Sequence, residues 1–195
     1  TNKFYKQNKM VKKNACIFIS GKGTNLNNIL NKSIEYTFPI HVKLIVCSSR
    51  YAKGLVFAKQ RSIPFFIIQN NLISQMKLIN EINKRNISII CLAGFMKILS
   101  KSFIRAINLK ILNIHPSLLP KFKGLNTYER IKKNKEKKTG CTVHFVNEKL
   151  DSGKIILRKY FYISPNDNFK VLKYNTQKLE YLAYPEAIYK LFRYN

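Results

Sequence analysis

Short β-rich runs alternate with amphipathic stretches of helix length through the first half of the chain, and that alternation leaves few folds open to it. Residues 15–20, 42–47, 65–68, 87–92 and 111–114 read as strands. Residues 25–31, 52–61, 72–85 and 101–107 read as the helices between or after them. In the third of these helices, Leu72, Ile73, Met76, Ile79 and Ile82 fall close to helical spacing. Residues 87–92 form an apolar run broken by Ser88, as in a parallel strand buried on both faces. Strand–helix–strand units of this kind close by right-handed crossovers. The second half is more mixed: a helix over 126–133, strands over 142–146 and 154–162, and a last helix over 168–193, expected to kink before Pro185. The fold expected is a single α/β domain over residues 10–195, a mostly parallel twisted sheet with a Rossmann-like N-terminal half and helices on both faces.

At 195 residues and 46% hydrophobic, the chain suits one globular domain. No apolar run approaches the roughly 18–20 residues that span a bilayer, so a cytoplasmic protein is expected. Residues 1–9 are basic and polar and read as a disordered arm, without the apolar stretch of a secretory signal. Cys16, Cys47, Cys91 and Cys141 lie in apolar, strand-like runs with no metal-ligand spacing, and read as buried reduced thiols. The formal charge of +27 is what a nucleic-acid binder carries. Here, however, the lysines are spread along the chain among many Asn and Ile residues, all specified by AT-rich codons. Biased composition therefore explains the charge better than a polyanion site, although residues 130–138 are densely basic. A positive field of this size favours anionic substrates at low salt.

In sheets of this type, ligands bind beyond the carboxyl ends of the strands. The loop after the first strand, Ser20-Gly21-Lys22-Gly23-Thr24-Asn25, combines glycines with a helix N-terminus, which suits a phosphate. It reads equally as a tight turn capped by Thr24 or Asn25. After the fourth strand, Gly94-Phe95-Met96-Lys97-Ile98-Leu99 is either packing or the wall of a pocket for a flat ring. The fifth strand leads into Asn113-Ile114-His115-Pro116, where Asn113 and His115 share one face. An amide beside an imidazole can hold a developing oxyanion. Asp151 lies in an Asp-Ser-Gly turn; folded back against His115, it would favour the protonated imidazole. His144 reads as a supporting or packing residue, and His41 as the start of a strand without a partner.

Together the segments IFISGKGTNLNNI, CLAGFMKILS, ILNIHPSLLPKFKGLNTYER and TGCTVHFVNEKLDSGKIIL resemble the phosphoribosylglycinamide formyltransferase family, in family order and over nearly the whole chain. The resemblance implies the formyltransferase fold and the transfer of a formyl group from 10-formyltetrahydrofolate, as co-substrate, to glycinamide ribonucleotide in purine biosynthesis. It implies catalytic roles for Asn113, His115 and Asp151, and ribonucleotide binding by Gly23, Thr24, Asn25 and Glu180. Met96, Lys97, Ile98 and Leu99, with Val146 and Asn147 opposite, would line the folate pocket. No metal is implied, and a monomer or weak homodimer is expected. Three positions depart from the family pattern. Lys97 stands where arginine is usual, Gln177 where a basic residue is expected, and Tyr181 where a histidine follows the glutamate. Lys178 is the expected substitute for the missing charge. A formyltransferase or deformylase acting on tRNA or water is the alternative, as is a basic nucleic-acid-binding protein that has lost activity. The short chain and Pro116 favour the ribonucleotide enzyme.

Overall fold

In a computed structural model, which describes residues 11–193, the chain runs β1 (Lys13–Ile19), α1 (Thr24–Ser33), β2 (Ile40–Cys47), α2 (Leu55–Gln60), β3 (Phe65–Ile67), α3 (Leu72–Lys84) and β4 (Ile89–Leu92). It continues through α4 (Lys101–Ile107), β5 (Lys110–His115), α5 (Thr127–Lys133), β6 (Lys138–Phe145), β7 (Ile155–Tyr162) and α6 (Phe169–Arg193). The arm expected at residues 1–9 lies outside the described residues. One seven-stranded sheet has the order β3-β2-β1-β4-β5-β6-β7. Its first five strands in that order are parallel, and β5–β6 and β6–β7 are antiparallel. This is the mostly parallel α/β sheet expected.

Period-2 alternation makes both faces of the sheet apolar. In β1, Ala15, Ile17 and Ile19 point into a core shared with α1, α2 and α6, while Cys16 and Phe18 point into a second core beneath α3 and α4. All four cysteines are buried free thiols, and burial pushes Cys91 up to about 12. β1 and β6 start earlier than expected, at Lys13 and Lys138. Their polar first residues still make ladder pairs, Lys13 with Ile40 and Lys138 with Tyr162, so pairing outruns the apolar signal. Among the described residues no helix is long and apolar enough to cross a membrane.

Helix α6 runs through Pro185 without interruption. Proline has no N–H to give the carbonyl four residues back, and that carbonyl, of Tyr181, instead accepts from Asn28 Nδ2 at 2.8 Å. One residue earlier in the helix, the buried Tyr184 hydroxyl donates to the carbonyls of Leu92 and Leu112, at 3.0 and 3.2 Å. The helix is thus bolted to α1, to the end of β4 and to the middle of β5. Replacing Tyr184 with phenylalanine should lower stability by about 1–3 kcal/mol, because two buried carbonyls lose a donor. Urea denaturation measures this, and an unchanged midpoint would remove the hydroxyl from the account.

Candidate functional site at the carboxyl edge of the sheet

The chain leaves β1 and β4, adjacent strands, in opposite directions, which opens a crevice at their carboxyl ends. Ser20 ties the loops there together: its Oγ accepts from Met96 N and from Ser48 Oγ, each at 2.8 Å. Asn113 and His115 stand on one face of β5 at the rim. Antiparallel register sets His144 of β6 directly opposite Asn113, and Thr142 opposite His115.

Asp151 reaches the same place from the β6–β7 turn. Its φ of 46° is left-handed, a conformation aspartate tolerates. Gly153, two residues on, lies flush against β6: a Cβ there would stand 1.8 Å from the Phe145 carbonyl oxygen. The turn is therefore pressed onto the strand, and Asp151 Oδ2 comes to 3.3 Å from His115 Nδ1 and accepts from Gly124 N at 2.8 Å. On its other side, His115 Nε2 donates to the Phe122 carbonyl at 2.8 Å. Both ring nitrogens face acceptors, an arrangement that a ring protonated at both satisfies. The loop supplying Phe122 and Gly124 is fixed in turn, since Thr142 Oγ1 donates to Ser117 O and accepts from Leu119 N.

His144 is 1% exposed. Its Nδ1 donates to the Phe145 carbonyl at 2.8 Å, so Nε2 is left to accept from Asn113 Nδ2 at 3.2 Å. Burial pushes its pKa below the ordinary imidazole value, against the smaller upward pull of the Phe145 carbonyl and Asp151. The neutral ring thereby fixes which end of the Asn113 carboxamide is the donor. Of the two readings the sequence left open for His144, supporting or packing, its cross-strand register with Asn113 favours the supporting one.

The loop after β1 forms the opposite wall. Neither Thr24 nor Asn25 caps α1. The N-cap is Gly23, left-handed at φ 71°, with no side-chain cap, whereas α3 and α4 are capped by Asn71 and Ser100. Both side chains turn to α6 instead: Thr24 Oγ1 accepts from Gln177 Nε2 at 2.9 Å, and Asn25 Nδ2 donates to Glu180 Oε2 at 2.8 Å. Helical spacing puts residues 177 and 180 on one face. Burial raises the pKa of Glu180, partly offset by the Asn25 bond. Asn25 Oδ1 is buried without a partner. The turn itself needs glycine, since a Cβ on Gly23 would meet Gly54 Cα at 2.7 Å. Lys178, the expected stand-in for a basic residue at 177, belongs to another face of α6: its Nζ lies 4.4 Å above the Tyr174 ring.

Between these walls, Met96 and Ile98 are 77% and 80% exposed and Lys97 is exposed, while Leu99 and Val146 rest against the second core. The expected folate wall is therefore an apolar lip on a packed base. Asn147 is exposed, and its Oδ1 accepts from Lys149 N.

Because the unfolded chain takes up a proton near pH 6.5 that the folded site resists, the contribution of His144 to stability should be complete above pH 6.5 and decline below it. Denaturation midpoints between pH 8 and 5 measure this, and a His144→Gln variant should show a shallower decline. Identical slopes would contradict the assignment.

A family model described as formyl transferase matches residues 13–188. The phosphoribosylglycinamide formyltransferase of Haemophilus influenzae is 39% identical over 181 residues, covering 90% of this chain and 85% of that protein. The trifunctional purine biosynthetic protein adenosine-3 of Homo sapiens is 35% identical over 96% of this chain, which spans 19% of that much longer protein. A crystal structure of phosphoribosylglycinamide formyltransferase from Bacillus halodurans superposes with a TM-score of 0.86 at 30% identity, covering 92% of this chain and 95% of that one. The family match takes in every strand of the sheet, from the first residue of β1 to beyond β7, and this chain belongs to the formyl transferase family.

Proposed function

We propose that this chain transfers the formyl group of 10-formyltetrahydrofolate to the amine of glycinamide ribonucleotide, with Asn113, His115 and Asp151 as its catalytic residues. The observation that carries this reading is their convergence at one rim, with an uncapped helix N-terminus on one side and an exposed apolar lip on the other.

Each group has the chemistry its step needs. The substrate amine attacks the formyl carbon, and negative charge develops on the formyl oxygen. Asn113 Nδ2 carries two hydrogens; His144 takes one, and the other serves the oxyanion. His115, with acceptors at both nitrogens, supplies positive charge beside it. Asp151 Oδ2 is engaged by Gly124 and faces His115. Its Oδ1 lies 3.6 Å from His144 Nε2, beyond a hydrogen bond, and serves a water that takes the amine proton. Rupture of the bond from the formyl carbon to the folate nitrogen, which gains a proton, completes the transfer.

The walls fit the two substrates. Gly23, Thr24 and Asn25 offer backbone N–H groups to the phosphate. A carboxylate repels phosphate, so Glu180 reads hydroxyl groups of the ribonucleotide. Met96, Lys97, Ile98 and Leu99, with Val146 and Asn147, flank the folate ring, which covers the exposed Met96 and Ile98.

Mixing the protein with 10-formyl-dideazafolate and glycinamide ribonucleotide tests the reading spectrophotometrically. Deformylation that requires the ribonucleotide is expected; deformylation without it would make the protein a hydrolase. Asn113→Ala and His115→Ala should each stay folded and lose about 10²–10³ in kcat, the usual cost of one oxyanion donor. Turnover at the parent rate in either variant would sink the oxyanion assignment.

A further inference from the structure

Resting on the placement of the substrate phosphate at α1, we infer that Lys22 supplies the cationic charge for that phosphate. Backbone N–H groups supply only partial charge, so a full cation nearby strengthens the hold on a phosphomonoester dianion. The face of α6 turned to the loop brings none: Gln177 is neutral and already donates to Thr24, and Glu180 is an acid.

Two other cations around α1 are engaged. Lys178 lies over Tyr174, and Arg61 Nη2 donates to Asn27 and Asn31, farther along α1. Within residues 20–25, Lys22 is the one cation. It is exposed and, among the described residues, has no hydrogen bond or ion pair. It stands between Gly21, where a Cβ would meet nothing within 4 Å, and Gly23, the left-handed N-cap of a ten-residue helix. That helix lacks a side-chain cap. Beside its first turn, Asn25, 6% exposed, keeps Oδ1 buried and unpartnered. A polar group in that turn thus still lacks a donor, which a water or a ligand hydroxyl would supply. The other cation near the turn is Lys53, adjacent to Gly54, which abuts Gly23. Lys53 belongs to the approach to α2, whereas Lys22 lies within the loop that carries the α1 N–H groups.

The test is binding of ribose 5-phosphate, by calorimetry at low salt, to the full chain and to single variants. Lys22→Gln should weaken binding about tenfold, the scale of one charge-assisted hydrogen bond. Adding Gln177→Lys to Lys22→Gln should restore much of it, because a cation at 177 would face the same loop. Lys178→Gln should change binding less than twofold, and Lys53→Gln less than Lys22→Gln does. In the formyl-transfer assay, the Lys22→Gln loss should fall on the KM for glycinamide ribonucleotide rather than on kcat. Equal effects of Lys22→Gln and Lys178→Gln would reduce the role of Lys22 to the general field of a +27 chain and overturn the inference. So would a loss confined to Lys53→Gln. Failure of the formyl-transfer reading is separable: ribose 5-phosphate binding that depends on Lys22, in a protein without ribonucleotide-dependent turnover, would leave the charge assignment standing.

Discussion

Antiparallel pairing of β5 with β6 decides where the polar groups of the site lie. A parallel neighbour would have carried the chain away to the far end of the sheet before returning. The antiparallel one starts at that rim, brings His144 opposite Asn113, and is followed by a turn that folds back along the strand until Asp151 meets His115. A slip of one residue would turn His144 to the other face of the sheet. The register is held by ladder bonds, by Thr142 under the loop after β5, and by Gly153, which lets the turn lie against Phe145.

Much of this was legible in the sequence because it rests on local patterns. Continuous apolar runs marked the central strands, and glycines marked the loop after β1. The alternation of Asn113, Ile114 and His115 placed two polar groups on one face. What stayed hidden depends on contacts between distant segments. The bonds of Thr24 to Gln177 and Asn25 to Glu180 join residues more than 150 positions apart. Local turn chemistry suggested caps at Thr24 and Asn25, and tertiary contact with α6 prevailed. Lys178 was misplaced for a related reason: one residue along a helix is a rotation of about 100°, enough to exchange the loop-facing side for the Tyr174 side.

The electrostatics divide by depth. At the surface, positive charge is plentiful and only sparsely paired. In the site, acids and imidazoles are buried and each has a defined partner: Asp151 between His115 and Gly124, Glu180 on Asn25, His144 on Asn113. Surface lysines can accumulate with little cost in stability, while the buried set tolerates no such drift, because each member holds the geometry of another.

Pro185 gives α6 a character that its length conceals. Where such a helix stands alone, water must meet the carbonyl left by the gap, and here the Asn28 side chain of α1 meets it instead. Satisfying the Pro185 gap and building the loop-facing wall thus draw on the same docking of α6 onto α1, which also brings Gln177 and Glu180 to Thr24 and Asn25. The residue least suited to a helix thus gives this one a socket that α1 fills.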